Sequence, residues 1–310
     1  MAISRPVTDD QTAFLEELLG NGVLVASGAP GVYGQGECFE RVRAGFDALL
    51  TRATADLGAE QLRFPPVVPR RLLEDTGYLA SFPHLAGAVF GFVGTEAEAA
   101  LQSERVSAQE DWSEFQHMTE LMLSPAACYP VYPAIAARGR LAPGGTIVDT
   151  GAAWVFRNEP SGDPARLQSF QMHELVRIGE PEPVLAWRDE WAQRGIALLR
   201  GLGLDAELDT ASDPFFGRPG RMLAASQREQ ELKVELLVQI AGPEPTAVAS
   251  FNCHLDHFGA PYGVELADGG VAHSACIAFG NQRVALALLR AHGIDLASWP
   301  SAVRRELWPA

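Results

Sequence analysis

Residues 146–178, TIVDTGAAWVFRNEPSGDPARLQSFQMHELVRI, contain two runs rich in β-branched and aromatic residues on either side of a loop signal. The first run, 146–159, ends at Glu-Pro-Ser-Gly-Asp-Pro, and the second, 169–178, alternates between apolar and polar residues. Such runs, bounded by Gly, Pro and Ser, are typical of β-strands. A connection of about ten residues predicts that the two strands pair as one long antiparallel hairpin.

The sequence after this hairpin predicts more strands and helices. Residues 182–203 and 282–292 have the apolar spacing of helices, and each segment ends at glycine. Three further strands are predicted at 232–240, 246–252 and 271–279. The pattern favours an α+β fold, with a mostly antiparallel sheet flanked by helices.

The region before the hairpin predicts an N-terminal elaboration, at about residues 1–60, and not a separate domain. Residues 9–20 predict a short helix, and 37–59 predict a longer amphipathic helix. Pro65 and Pro66 then exclude a helix and suit an edge strand. Two more helices are predicted at 96–106 and 110–123. Because no linker divides the chain, we expect one domain over residues 1–310.

Charge and composition exclude several classes of partner. The chain of 310 residues has 39 Asp and Glu against 24 Lys and Arg, a net charge of −15, which disfavours binding to nucleic acid or anionic lipid. No apolar run approaches the ~18 residues of a membrane span, and the first residues do not resemble a secretory signal. Four cysteines are too few for a disulfide scaffold, so we expect a cytoplasmic protein.

The hairpin also brings chemistry-bearing side chains together. Because side chains two residues apart share a face of a strand, Arg157 and Glu159 project together, as do Phe170, Met172 and Glu174. A guanidinium matches the oxygens of a phosphate, and an aromatic ring can stack on a base. A surface hairpin with charged tips is the alternative, and the pattern by itself leaves both open.

A second cluster, Asn252-Cys-His254-Leu-Asp256-His257, has spacing that is common among metal ligands. It imitates in part the H-x-H-x-D-H motif of metallo-β-lactamase-like hydrolases, but Asn252 is a poor ligand at the first position. Supporting polar residues are therefore the favoured interpretation. Cys128 and Cys276 each have a simple alternative too, because an isolated cysteine in an apolar segment is commonly a core thiol.

Several segments resemble a known family. FRNEP followed by RLQSFQMHE resembles motif 2 of class II aminoacyl-tRNA synthetases, GNQRVALALLR resembles motif 3, and residues 37–67 resemble motif 1. The closer resemblance is to amino acid:carrier protein ligases, truncated homologues of the atypical, zinc-dependent seryl-tRNA synthetases. It covers residue 60 to the C-terminus and is carried by FPPV (64–67), YLASFPHL (78–85), SPAACYPVY (124–132), DPFFGRPGRMLAASQREQELK (213–233), PTAVASFNCHLDHFG (245–259) and AHSACIAFG (272–280).

The resemblance implies a class II synthetase-like catalytic core with a zinc ion. By motif context the ligands are Cys128, Glu174 and Cys276, and the open position takes the α-amino group of an amino acid. Asn252 and His254 are then expected to border the pocket for that substrate.

The resemblance also implies an ATP site. Arg157 resembles the motif 2 arginine at the α-phosphate and Arg283 the motif 3 arginine at the γ-phosphate, and both are the expected catalytic residues. Glu159 is expected near the adenine amino group and Phe170 against the adenine ring. Further residues expected around ATP and Mg²⁺ are Arg166, Leu167, Lys233, Glu235, Ala247, Val248, Ala249 and Ser250.

The activity implied has two steps. A small amino acid, such as glycine or alanine, is activated with ATP as an aminoacyl-adenylate and then transferred to the phosphopantetheine thiol of a carrier protein. No tRNA-binding domain, no tRNA and no membrane partner are expected. A homodimer that forms through motif 1 is expected. Because carrier proteins are usually acidic where they dock, five basic residues are docking candidates: Arg41, Arg43, Arg52, Arg70 and Arg71.

Two alternatives stay open. A non-catalytic paralogue would bind an amino acid as a regulatory module, although such a protein is expected to lose Arg157 or Arg283. A true seryl-tRNA synthetase would need a tRNA-binding extension. One departure concerns motif 3, in which Gln282 stands where an acidic residue is more usual.

Overall fold

The structure, a computed structural model, describes residues 6–309 apart from the side chains of 218 and 219. Its strands are β1 Leu24–Ala29, β2 Val32–Gln35, β3 Glu60–Gln61, β4 Val67–Pro69, β5 Ala88–Phe92, β6 Gln116–Leu123, β7 Thr146–Phe156, β8 Ser169–Gly179, β9 Ala206–Thr210, β10 Lys233–Val238, β11 Thr246–Leu255 and β12 His273–Gly280. Its α-helices are α1 Asp9–Gly20, α2 Glu37–Ala53, α3 Arg70–Asp75, α4 Tyr78–Ser81, α5 Glu96–Ala108, α6 Val131–Ala136, α7 Pro181–Gly201, α8 Gly217–Glu229, α9 Gly259–Tyr262, α10 Asn281–His292 and α11 Ser301–Leu307.

A seven-stranded sheet forms the centre of the fold, in the order β3-β7-β8-β12-β11-β10-β9. Its pairs are antiparallel, except for the short edge pair of β3 with β7. The predicted β7–β8 hairpin is confirmed, as is the mostly antiparallel sheet. A small sheet, β4-β6-β5, and the β1–β2 hairpin complete the strand structure of the described residues.

The main hydrophobic core lies on one face of the large sheet, under α7 and α10, and α2 packs against α10. Alternate residues of β8 and β12, such as Leu175, Ile277 and Phe279, enter this core and are fully buried. Each such side chain contributes about 1.5–3 kcal/mol by leaving water. The residues between them point to the opposite face, where a cleft opens.

A β-bulge in β7 shapes the cleft side of the hairpin. The pairing of β7 with β8 shifts between Asp149 and Ala152, and Gly151 has a φ of 57°. Glycine is favoured at 151 by this positive φ, which residues with a side chain rarely adopt. At the bulge, the Thr150 hydroxyl donates to the carbonyl of Glu174 (3.0 Å) and accepts from its N–H (3.2 Å). The bulge therefore fixes the backbone of Glu174.

The prediction of a helix at 110–123 is wrong. Residues 116–123 form β6, which pairs with β4 on one side and β5 on the other. Met122 is buried in a small core with Val68, and the Thr119 hydroxyl donates to Val89 O at 2.8 Å. Strand pairing on both sides satisfies the backbone and overrides the local helical preference.

Other predicted elements shift by a few residues. The predicted helix at 37–59 ends at Ala53, where the Thr54 hydroxyl donates to Leu50 O at 3.0 Å. The helices predicted at 9–20, 96–106, 182–203 and 282–292 are confirmed within two residues at each end. The sequence did not predict α8, β9 or the β1–β2 hairpin. Within residues 6–309, no helix combines the length and apolar character that crossing a membrane requires.

Candidate active site

A cleft of about 1410 Å³ lies on the sheet face opposite α7 and α10. Its floor is built from side chains in register across four neighbouring strands. One row runs Glu174, Ala278, Ser250 and Glu235; the next runs Val176, Cys276, Asn252 and Lys233. Strand alternation and register therefore bring residues from β8, β12, β11 and β10 to one surface.

Three arginines make one end of the cleft cationic. Arg283, in the first turn of α10, donates from Nε to Ala165 O (2.8 Å) and from Nη1 to Ala247 O (2.9 Å). Desolvation and the neighbouring Arg166 and Arg157 lower the pKa of Arg283 to about 10. Guanidinium groups held this close repel one another, so this end of the cleft favours a polyanion such as a polyphosphate.

The start of β8 places an aromatic ring, that of Phe170, beside this cationic end. Arg157 donates from Nε to Pro125 O at 3.1 Å, and its guanidinium lies 5.7 Å from the centre of the Phe170 ring. Glu159 lies 3.7 Å from Arg166. Leu167 does not line the cleft but packs beneath Phe170, so it supports the ring from below.

A buried lysine lies along the floor. Lys233 Nζ is 2.5 Å from Asp213 Oδ1 and 3.1 Å from Glu235 Oε1. Burial alone would raise the pKa of Asp213, but Lys233 and a hydrogen bond from Gln227 together lower it. Residues 247–250 line the same wall, and the contact with ATP that the sequence predicts for Ala247, Val248, Ala249 and Ser250 stays a prediction.

Two thiols and a carboxyl group meet at the other end of the cleft. Cys128, Glu174 and Cys276 come from three separate parts of the chain and are 4%, 2% and 3% exposed. A hydrogen bond with Cys276, together with burial, raises the pKa of Cys128, and the same hydrogen bond lowers that of Cys276. Burial and the nearby Cys276 raise the pKa of Glu174 to about 8.

This cluster has unused ligand capacity. Oε2 of Glu174 and Oδ1 of Asn252 are buried and have no hydrogen-bond partner within residues 6–309. Yet no group of three or more His, Cys, Asp or Glu side chains in the described part of the chain has the arrangement of a formed metal centre.

The His254 side chain belongs to this thiol end. Its Nε2 lies 3.5 Å from Cys276 Sγ, and Asn252 Nδ2 donates to the same sulfur at 3.4 Å. Asp256 and His257 are exposed on the turn after β11. The hydrolase-like motif therefore does not converge on one point, and the sequence interpretation of supporting polar residues fits its geometry.

A buried ion-pair triad lies directly behind Glu174. The next residue towards the N-terminus, His173, points to the opposite face, with Nδ1 2.7 Å from Asp47 on α2 and Nε2 3.0 Å from Asp149 on β7. The two carboxylates raise the pKa of His173 to about 8 against an opposing effect of burial. Asn281 also donates to Asp47 at 3.1 Å, so the triad ties α2 and α10 to the hairpin.

The sequence also missed a surface at the mouth of the cleft. Helix α8 has exposed apolar side chains, including Met222 (73% exposed) and Leu223 (50%), and the preceding Phe216 is 56% exposed. By contrast, the five docking candidates are already engaged within the chain, through an acidic partner, a carbonyl or an aromatic ring: Arg41 with Trp308, Arg43 with Glu40, Arg52 with Glu306, Arg70 with Glu74 and Glu120, and Arg71 with Asp75.

Comparison with known proteins gives the family. No family model matches the chain. Amino acid–acyl-carrier-protein ligase 1 of Bradyrhizobium diazoefficiens is 46% identical over 302 residues, covering 97% of this chain and 92% of that protein. The chain belongs to the amino acid–acyl-carrier-protein ligase family. Ligase 2 of the same organism is also 46% identical, over 92% of this chain and 85% of its own length.

More distant similarity links this ligase family member to class II synthetases. A type-2 serine–tRNA ligase of Methanopyrus kandleri is 24% identical over 84% of this chain and 53% of its own length. The crystal structure of the M. kandleri seryl-tRNA synthetase with a tRNA superposes with a TM-score of 0.81 at 22% identity, over 98% of this chain and 61% of that one. Seryl-tRNA synthetase of Pyrococcus horikoshii, solved with ATP, gives a TM-score of 0.66 over 93% of this chain. The predicted class II catalytic core is confirmed.

Proposed function

We propose that this protein activates a small amino acid with ATP as an aminoacyl-adenylate and transfers it to the phosphopantetheine thiol of a carrier protein. The observation that carries the proposal is that one cleft holds both a cluster of three arginines and a buried group of two thiols and a carboxyl. The first suits a nucleoside triphosphate, and the second suits a metal that holds an amine.

Activation joins the two ends of the cleft. A carboxylate oxygen of the amino acid bonds to the α-phosphorus, and pyrophosphate leaves as its bond to that phosphorus breaks. Arg157 and Arg283 neutralise the charge on the phosphates, and Phe170 stacks on the adenine ring. Glu235 is the carboxylate we expect to hold Mg²⁺ with the phosphates, and Glu159 is expected near the adenine amino group. No side chain has to act as a nucleophile.

The thiol end fits zinc by its donor set. Cys128, Glu174 and Cys276 provide two sulfur ligands and one oxygen ligand, and Glu174 Oε2 is buried without a hydrogen-bond partner in the described residues. Zinc bound there would supply an electrophilic position for the α-amino group. The buried aromatic residues Tyr132 and Phe258 belong to the same cluster as the two thiols, so we expect this end of the cleft to favour a small substrate.

Transfer requires a second partner to reach the adenylate. The pantetheine thiol attacks the carbonyl carbon, AMP leaves, and the thiol loses its proton. We assign the docking of the carrier protein to α8, because this helix lines the mouth of the cleft, exposes Met222 and Leu223, and has basic residues at Arg221 and Arg228. Neither arginine forms a salt bridge with a residue of the described chain, and an acidic carrier would complement them.

Pyrophosphate exchange tests the activation step. The purified protein, loaded with zinc, is incubated with ATP, labelled pyrophosphate and each small amino acid in turn, and formation of labelled ATP is measured. Exchange that depends on glycine or alanine supports the proposal. No exchange with any proteinogenic amino acid, although zinc is bound, contradicts it and favours the regulatory paralogue.

The carrier and the oligomer need separate assays. A holo carrier protein is expected to receive the labelled amino acid through a thioester, whereas tRNA is not; efficient tRNA charging would contradict this proposal. We also propose a homodimer in which the motif 1 region, including α2, lies at the interface. Light scattering at several protein concentrations tests this, and a monomer throughout would be the contrary result.

A further inference from the structure

We propose that Tyr132 and Ser274 hold His254 with its ring proton on Nε2, so that His254 supports the sulfur of Cys276 and does not become a fourth metal ligand. The inference deepens the proposed function and rests on its zinc site. It assigns His254 a positioning role, in place of the substrate contact that the sequence predicted.

The first step concerns the two hydroxyl groups. Nδ1 of His254 lies 3.1 Å from Ser274 Oγ and 3.2 Å from Tyr132 Oη. Tyr132 and Ser274 are fully buried. In the described chain, the only hydrogen-bond partner of either hydroxyl is Nδ1 of His254.

The second step is a count of protons. If Nδ1 accepts, at least one of the two hydroxyl protons has an acceptor. If Nδ1 carries the proton, neither hydroxyl proton has an acceptor. An unsatisfied buried donor is costly, so the first arrangement is favoured, and the proton of the neutral imidazole lies on Nε2.

The third step follows from the position of Nε2. It faces Cys276 Sγ at 3.5 Å, where its N–H can donate, alongside the amide of Asn252 at 3.4 Å. A protonated ring nitrogen has no lone pair for a metal. A fourth protein ligand would close the tetrahedral site, and no position would remain for the amine of the substrate. The tautomer of His254 thus keeps that position available.

The test replaces zinc with Co²⁺ in the full chain and records its absorption spectrum. In the wild type we expect a thiolate-to-metal charge-transfer band, and we expect added glycine to change the d–d bands because it occupies the open position. If the wild type lacks the thiolate band, the zinc proposal itself fails, and this inference fails with it.

Two single variants test whether His254 is a ligand. His254→Gln places an amide N–H close to the position of Nε2 and should keep the wild-type Co²⁺ spectrum and its response to glycine. His254→Phe removes the donor and should weaken Co²⁺ binding about 10- to 100-fold, measured by competition with a chelator, without changing the ligand spectrum. A His254→Gln spectrum that shows the loss of a nitrogen ligand overturns the inference alone.

A third variant removes the two hydroxyls that fix the tautomer of His254. In Tyr132→Phe/Ser274→Ala both hydroxyls are absent, so Nε2 can lose its proton and bind the metal. We expect altered d–d bands before glycine is added and an apparent glycine affinity reduced tenfold or more, with circular dichroism as the folding control. If a folded double variant has the wild-type spectrum and glycine response, the inference is wrong.

Discussion

The two ends of the cleft hold their reactive groups in opposite ways. At the cationic end, Arg157 and Arg283 donate to backbone carbonyls, and their charges lie close together without full compensation. At the thiol end, Cys128, Glu174 and Cys276 are almost fully buried and interact with one another. The cationic end is therefore preorganised to receive a polyanion, whereas the metal that we propose at the thiol end would be held by groups buried against one another.

This difference predicts how substitutions at each end will affect the proposed reaction. Each arginine is anchored separately, so each single substitution should weaken phosphate binding only in part. The thiol cluster acts as a unit, so the loss of one member should disable it altogether. The following predictions test this contrast, from the largest expected effect to the smallest.

Removal of one thiol should have the largest effect. Cys276→Ala is expected to abolish amino-acid-dependent pyrophosphate exchange and to lower bound zinc, measured by atomic absorption, well below one ion per chain. Chelation of the wild type should give the same loss, reversed by added zinc. Cys38→Ala, which changes a thiol that donates to Ile294 O far from the cleft, is the matched control and should keep full exchange.

A substitution at the cationic end should reduce pyrophosphate exchange without abolishing it. Arg283→Lys keeps a positive charge but cannot make both hydrogen bonds to Ala165 and Ala247, so exchange should fall about 10²- to 10³-fold with zinc still bound. Arg290→Lys, at an exposed position of the same helix, should change exchange less than twofold. If Arg283→Lys also released zinc, the two ends would not be separable.

The triad behind Glu174 should support both ends through the fold. His173→Phe leaves the buried Asp149 and the partly exposed Asp47 without their cation, so the free energy of unfolding in urea should fall by about 3 kcal/mol, the lower end of the range for a broken buried pair. Asp47→Asn keeps the Asp149 carboxylate and a hydrogen-bonding group at position 47, so it should lower the free energy of unfolding clearly less. Equal stability of His173→Phe and wild type would show that the triad is not a structural support.

The smallest effect is expected outside the cleft, at α8. Arg221→Glu combined with Met222→Ser should slow transfer to the carrier protein about tenfold and leave pyrophosphate exchange unchanged, because neither side chain lines the cleft. Leu101→Ser on α5, another exposed apolar residue on an exposed helix, is the matched control. Equal transfer by both variants would place the docking surface elsewhere.

The sequence predicted the cationic end better than the rest. Arg157 and Phe170 belong to one hairpin, so alternation along its two strands was enough to place them on one surface. The thiol end joins residues from three distant segments, and its register depends on bulges at 149–152 and 253–255 that alternation alone does not predict. Only the family resemblance brought Cys128, Glu174 and Cys276 together, and their role as ligands stays a prediction.

Two failures have clear physical causes. Helix α8 was missed because apolar residues such as Met222 face solvent, so no buried stripe marks the helix. The pairing of Tyr132 with His254 links residues 122 positions apart, which no local pattern encodes. At 110–123 the reverse occurred, since a local helical pattern lost to pairing with β4 and β5.

The rows of side chains across the sheet hold the two ends of the cleft at a fixed distance. From Glu174 on β8 to Glu235 on β10 there are three strand spacings, or about 14 Å. Backbone hydrogen bonds fix that distance, so we expect the proposed aminoacyl-adenylate to lie across the strands and not along them. Relatives with other substrates can differ in the side chains of these rows or in the loops above them, but not in the spacing of the strands.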